Sequence, residues 1–281
     1  MPRECTASDV TYLVIPTRRR LRPADTVFQK DAMTQAHPPF CRAASLVPGL
    51  ARFASTALGD MQALITPAVC AALRGQGYAV VDGGLGDVNA LRVRDEVLAL
   101  RPHMHENCTH LVKGGATQLL PKQFILEAEL QLAETQARAP LCARLQQDAA
   151  LRTMLNLLLP GLRLERQAVK LQVNGGGGGC FPLHFDTAQG VDGRRVTAIL
   201  YLNPGWAPAH GGQLRLYPFP AAHVDVAPLL DRLVLFSSQR MLHRVLPSGA
   251  PRCCATTWLS EGPPRGGRPC GGRWRGTRRR R

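Results

Sequence analysis

The stretch Lys170–Asp186, KLQVNGGGGGCFPLHFD, decides how the chain is read. It passes from an alternating apolar segment through five glycines, Gly175–Gly179, into Phe181-Pro182-Leu183-His184-Phe185-Asp186. In an extended strand, residues two apart project to the same face, so His184 and Asp186 can approach one ion together. A third donor brought in by folding, for which His243 is the candidate, completes a set of two imidazoles and one carboxylate. Such a set leaves coordination positions open and suits a non-haem Fe(II) centre. The glycine run is read as a flexible turn into the metal strand. A phosphate cradle would need a helix after it, with amides facing the anion, and here a strand follows.

Outward from this stretch, six segments are short, apolar and rich in β-branched residues: Ala168–Val173, Val196–Asn203, Gln213–Tyr217, Leu233–Phe236, Leu242–Leu246 and Cys254–Leu259. Gly, Pro and Asn punctuate them, which predicts a sandwich or barrel. Toward the N-terminus the period changes. Thr66-Pro67 reads as an N-cap with proline opening a helix that stops near Gly75, before a strand at Tyr78–Val81. Helical spacing then covers Val88–Leu100, Phe124–Thr135 and Leu141–Leu159, with Leu91, Val97, Leu98, Leu130 and Leu145 as residues facing a core. These helices would buttress the sheet. His103, His105 and His110 form an H-x-H-x4-H cluster that could rival the first metal site, but the Pro102 neighbourhood reads as an exposed loop without a scaffold.

A length of 281 residues with 45% hydrophobic content permits one large or two small domains with a sizeable core. No run of 18 apolar residues occurs, so no transmembrane helix is expected. The net charge of +15 suggests nucleic acid until it is divided: residues 262–281 carry eight Arg and no acid, residues 1–59 eight basic against four acidic, and residues 60–261 nineteen against sixteen. The charge sits in the ends and says little about the centre. Nine cysteines without a C-x-x-C pair read as reduced thiols and favour an intracellular setting, cytoplasm or nucleus. Residues 1–58, basic and hydroxyl-bearing, are either a disordered extension or a transit-like segment for a chloroplast or mitochondrion. Residues 262–281, rich in Gly, Pro and Arg, are expected to be a disordered tail.

The order of motifs is more specific than any one of them. His184-x-Asp186 is followed by the Tyr201-Leu202-Asn203 strand end, the Gly211-Gly212-x-Leu214-Arg215 turn, the distal His243, and Arg252 nine positions later. This resembles the 2-oxoglutarate/Fe(II)-dependent oxygenases of the prolyl 4-hydroxylase type, including the oxygen-sensing prolyl hydroxylases, over residues 59–261. The resemblance implies an α+β fold with a double-stranded β-helix, or jelly-roll, core. It further implies Fe(II) on His184, Asp186 and His243, with 2-oxoglutarate and O2 at the open positions and ascorbate as a reductant. Arg252 would hold the distal carboxylate of 2-oxoglutarate through its planar guanidinium, with Tyr201 beside it. Thr197, Ile199 and Leu214 match pocket-lining positions, and Trp258 matches a pocket-wall aromatic. Sheet core is the competing role for Ile199, Leu214 and Trp258. Asn174 stands ten residues before His184, where the oxygen-sensing relatives carry a tyrosine that contacts the cosubstrate, and one extra residue lies between Asp186 and the Thr197 strand. The region of His103–His110 would form part of the substrate entrance.

The activity implied is hydroxylation of a C–H bond, in a prolyl residue of a protein or peptide, with release of succinate and CO2. The alternative is a catalytically silent jelly-roll that uses its basic tail to hold RNA or acidic partners. Arg-rich disorder binds polyanions by counterion release. Any RNA affinity should therefore fall steeply with added salt and vanish when residues 262–281 are deleted, while succinate release by the truncated protein persists. Loss of turnover on deletion would move the domain boundary.

Overall fold

Thr66 and Pro67 set the start of the first long element as expected. A short helix α1 (Met61–Leu64) precedes α2 (Pro67–Gly75), whose Thr66 cap accepts a hydrogen bond from Val69 N at 3.3 Å. The structure, a computed structural model, describes residues 58–59, 61–113, 116–188 and 192–262. Residues 1–57 of the basic extension, 263–281 of the Arg-rich tail and 189–191 of the loop between Asp186 and the Thr197 strand lie outside these. Strand β1 (Tyr78–Asp82) and helix α3 (Asp87–Ala99) follow. The buried stripe of α3 is Ala90, Val93 and Val97, and Leu91, expected in the core, lies one step off that stripe and is 37% exposed.

Two expectations fail in the next segment. His105 and His110 belong to strand β2 (His105–Lys113), not to a loop, and residues 124–135 are not a helix. They form the end of β3 (Ala116–Glu129), a turn, and the start of α4 (Ala133–Arg138). The run of Glu, Ala, Leu and Gln favours helix locally, but pairing with β4 from Ile125↔Asn174 to Glu129↔Lys170 overrides it. The predicted helix over Leu141–Leu159 is divided into α5 (Pro140–Gln147) and α6 (Ala150–Leu158). The Asp148 carboxylate accepts from Ala150 N at 2.8 Å and starts the second, while Gln167 Nε2 donates to the Gln146 and Asp148 carbonyls left by the first.

Strands β4 (Leu164–Asn174), β5 (Gly179–His184), β6 (Arg194–Tyr201), β7 (Leu214–Tyr217), β8 (Val224–Val226), β9 (Arg232–Ser237), β10 (Leu242–Ser248) and β11 (Arg252–Glu261) include the six predicted strands, except that Leu202, Asn203 and Gln213 fall outside β6 and β7. All pairings are antiparallel, in a seven-stranded sheet ordered β1-β9-β6-β11-β4-β3-β2 and a four-stranded sheet ordered β5-β10-β7-β8. This is the double-stranded β-helix core with added helices.

Period-two alternation gives the large sheet two faces. Val169, Leu171 and Val173, with Val196, Ala198 and Leu200, and Leu233 and Leu235, join the core built on the helices. Ile199, Tyr201, Val234 and Phe236 face the other way, toward Leu214 and Leu216 of the small sheet. Burying each large apolar side chain stabilises by about 1.5–3 kcal/mol, so the helices hold one face while the other is free to enclose a site. No helix among the described residues is long and apolar enough to cross a membrane.

One buried polar group ties the first loop to this framework. Asp231, 1% exposed and at a φ of 57°, accepts from Leu85 N at 2.9 and 3.0 Å and from Gly86 N at 2.7 Å at the start of α3. Its own N–H donates to Tyr201 O at 2.9 Å. Asp231→Ala leaves buried donors unpaired and places alanine in the left-handed region, a combined loss of about 3 kcal/mol. Thermal unfolding should fall by roughly 6–12 °C, and Asp231→Asn by less. Unchanged melting of Asp231→Ala would contradict this role.

Candidate metal centre

His184 and His243 arrive from neighbouring strands of the small sheet as direct register partners. Their ring centroids lie 4.3 Å apart. His184 Nδ1 bonds the Pro182 carbonyl at 2.7 Å, and His243 Nδ1 bonds the Met241 carbonyl at 3.0 Å. A carbonyl only accepts, so each Nδ1 carries the hydrogen and each Nε2 offers its lone pair. Both Nε2 atoms lie 3.6 Å from Asp186 Oδ1. Among the described residues this is the one group of His, Cys, Asp and Glu whose donor atoms gather closely enough for a metal, all within 4.8 Å of one another.

The second oxygen of Asp186 is held from the large sheet. Thr197 Oγ1 donates to Oδ2, as does Trp258 Nε1 at 3.4 Å, and Thr197 and Trp258 are themselves register partners on β6 and β11. Ser238 Oγ supports Thr197 Oγ1 at 2.9 Å. Burial alone would raise the Asp186 pKa, but the imidazoles of His184 and His243 with the Thr197 hydroxyl outweigh it and hold the carboxyl well below the usual range. Burial, with the neighbouring His184, pushes His243 down to about 4, so its imidazole is neutral near pH 7. An ionised carboxylate beside an imidazole with a free lone pair is the state a metal needs, and the mixed nitrogen and oxygen set fits Fe(II).

Further along the same strands lies a second polar end. Inward residues of β11 are Arg252, Cys254, Thr256 and Trp258, and those of β6 are Thr197, Ile199 and Tyr201, all around a cavity of about 370 Å³. The rung Thr197–Trp258 is at the triad, Ile199–Thr256 is next, and Tyr201–Cys254 follows, with Arg252 beyond. Arg252 Nη1 donates to Gly212 O at 2.7 Å. Gly212 has a φ of 76°, and a Cβ there would stand 2.6 Å from Arg252 Nε, which explains the glycine in the turn. The Tyr201 hydroxyl and Arg252 Nε are buried without a hydrogen-bond partner among the described residues. Burial raises the Tyr201 pKa, keeping the phenol protonated as a donor, and lowers that of Arg252. Two unused buried donors of this kind fit a carboxylate.

Every sequence-predicted site residue lines this cavity. Ile199 and Leu214 are pocket wall and sheet core at once. Asn174 lines it too, but its amide is committed to the glycine turn: Nδ2 donates to Gly179 O at 2.9 Å and Oδ1 accepts from Gly176 N at 3.0 Å. Of the rival histidines, His103 accepts from Arg138 at 3.2 Å and His105 lies 3.4 Å from Glu127, while the His110 side chain is outside the described residues. Sequence reasoning missed Gln172, Ser238, Asn107 and Lys122. Gln172 could have been found from its even spacing with Asn174. Asn107 lies on β2 and Lys122 on β3, in the stretch read as a loop ahead of a helix.

A family model described as the 2OG-Fe(II) oxygenase superfamily matches residues 169–260. Prolyl hydroxylase EGLN3 of Mus musculus is 41% identical over 100 residues, 34% of this chain and 41% of that protein. The chain thus spans less than half the length of the curated relatives it matches. A crystal structure of prolyl 4-hydroxylase from Phytophthora capsici superposes with a TM-score of 0.64 at 34% identity, over 76% of this chain and 69% of that one. A Trichoplax adhaerens prolyl hydroxylase, solved with a hypoxia-inducible factor peptide, gives 0.60 at 26% identity, over 69% of this chain and 87% of that one.

His243→Ala should abolish stoichiometric iron uptake while the circular dichroism spectrum is kept, because the barrel packing does not depend on the ion. Thr197→Val, which only loosens Asp186, should weaken iron affinity about 10–100-fold. Full iron loading of His243→Ala would refute the assignment.

Proposed function

This chain belongs to the 2OG-Fe(II) oxygenase superfamily, and on that premise we propose that it hydroxylates a prolyl residue of a protein or peptide. His184, Asp186 and His243 would hold Fe(II), and Arg252 with Tyr201 would hold the distal carboxylate of 2-oxoglutarate. Iron, 2-oxoglutarate and dioxygen together supply oxidation of an unactivated C–H bond, with release of succinate and CO2. The chain's own residues bind, orient and shield. Thr197 and Trp258 fix Asp186 so that Oδ1 faces the imidazoles. Ile199 and Leu214 give dry walls between the two polar ends, where an unpaired charge would be costly. The prolyl substrate is supported by the likeness in sequence to prolyl hydroxylase EGLN3 and in fold to the Phytophthora capsici prolyl 4-hydroxylase.

The observation that carries the reading is the pairing of the triad with two unsatisfied buried donors, Tyr201 Oη and Arg252 Nε, along one cavity. The direct test is succinate release with Fe(II) and 2-oxoglutarate, together with gain of one oxygen atom by a prolyl peptide in mass spectrometry. Succinate release without any hydroxylated prolyl peptide would keep the oxygenase and remove the prolyl assignment.

Arg252→Ala should cost about 3–5 kcal/mol of cosubstrate binding, because it leaves a ligand charge unpaired in an apolar pocket. That is a loss of a few hundredfold or more by calorimetry, with iron content unchanged. Arg252→Lys keeps the charge, loses the fork and should fall between. Normal 2-oxoglutarate affinity in Arg252→Ala would remove the cosubstrate assignment and leave the iron site standing.

A further inference from the structure

The cavity carries more cationic side chains than the proposed chemistry uses. Lys122, Lys170, Arg194 and Arg252 all line it. Lys170 Nζ lies 2.9 Å from Glu127 Oε1, and Arg194 Nε lies 2.8 Å from Asp192 Oδ2. Arg252 is assigned to the cosubstrate. Lys122 has neither a hydrogen-bond acceptor nor an ion-pair partner among the described residues, and its Nζ stands 4.3 Å over the Phe181 ring. Burial lowers its pKa to about 8, and the more distant attraction of Glu127 and Asp186, opposed by the repulsion of Lys170, offsets this only partly.

Asn107 has the complementary deficit. It is 5% exposed and lines the same cavity. Its Nδ2 donates to Glu127, and its Oδ1 has no donor among the described residues. Buried acceptors are rarely left unsatisfied in a protein at work. Phe185, beside the triad in sequence, also lines the cavity and is 45% exposed, which adds apolar surface to this region.

We propose that Lys122 and Asn107 form a subsite that reads an acidic residue of the peptide substrate close to the residue being hydroxylated, Lys122 taking the carboxylate and Asn107 Oδ1 a peptide N–H. The inference rests on the reading of this chain as a peptide hydroxylase. Satisfying both groups takes a carboxylate and an N–H on one ligand. 2-Oxoglutarate has no N–H, whereas Asp or Glu within a peptide has both, so the pair favours an acidic peptide over a second small acid.

The test uses the full chain loaded with Fe(II) and 2-oxoglutarate without oxygen. Fluorescent proline-centred peptides carry a single Glu at each flanking position in turn, each beside a Gln counterpart, and binding is read by anisotropy. At one position or more, Glu should bind about tenfold tighter than Gln, as expected of one charge-assisted pair. Lys122→Gln should erase the difference, and Lys122→Glu should reverse it in favour of a Lys-bearing peptide. Iron content and calorimetric 2-oxoglutarate affinity of Lys122→Gln should match the wild type. Equal binding of Glu and Gln peptides at every position, or no binding by any peptide, overturns the proposal. So does weakened 2-oxoglutarate binding in Lys122→Gln with the peptide preference intact, which would give the lysine to the cosubstrate. The same peptides are then exposed to air and weighed: a Glu preference with no peptide hydroxylated would leave the subsite standing and sink the prolyl activity, and hydroxylation without the preference would do the reverse.

Discussion

The carboxylate of Asp186 joins the two sheets, and the site depends on how its oxygens are divided. Oδ1 faces the imidazoles of His184 and His243, both from the small sheet, while Oδ2 is held by Thr197 and Trp258 of the large one. A buried carboxylate without such partners would be costly. The convergence needs two registers at once, His184 with His243 and Thr197 with Trp258. A slip of one residue in either would turn the whole face away from the cavity.

Alternation along β4, β6 and β11 does the rest. One set of residues packs on the helices and fixes the sheet, and the other set is free to be polar, which is how Lys170, Gln172, Thr197 and Arg252 can share strands with core leucines. Close approach is managed by glycine. A Cβ on Gly179 would collide with the Asn174 amide that clasps the turn, and one on Gly212 would collide with the guanidinium of Arg252. The departure at Asn174 from the tyrosine of the oxygen-sensing relatives therefore has a local structural use in this chain.

The His184–Asp186 pair and the six C-terminal strands were legible because strand chemistry is local: two-residue spacing, β-branched runs and glycine turns state which face a side chain occupies. The Thr66 cap was legible for the same reason. His243, Arg252 and Tyr201 were reached through the resemblance in motif order. Residues 124–135 were not legible. Their composition favours helix, and it is pairing with β2 on one side and the sequence-distant β4 on the other that makes the part up to Glu129 extended. Missing β2 and β3 hid Asn107 and Lys122, whose significance lies in contacts across strands. The division between α5 and α6 was hidden because it rests on one local hydrogen bond, from Ala150 N to the Asp148 carboxylate, inside an otherwise continuous periodic stretch.

The central claim is that the triad and Arg252 serve one oxygenase reaction coupled to 2-oxoglutarate. It is tested most directly by supplying isotope-labelled dioxygen with Fe(II), 2-oxoglutarate and a prolyl peptide, and weighing both products. One labelled atom should appear in succinate and one in the hydroxylated peptide, and neither product should form with His243→Ala. Succinate and peptide without label, or labelled products from His243→Ala, would contradict the account.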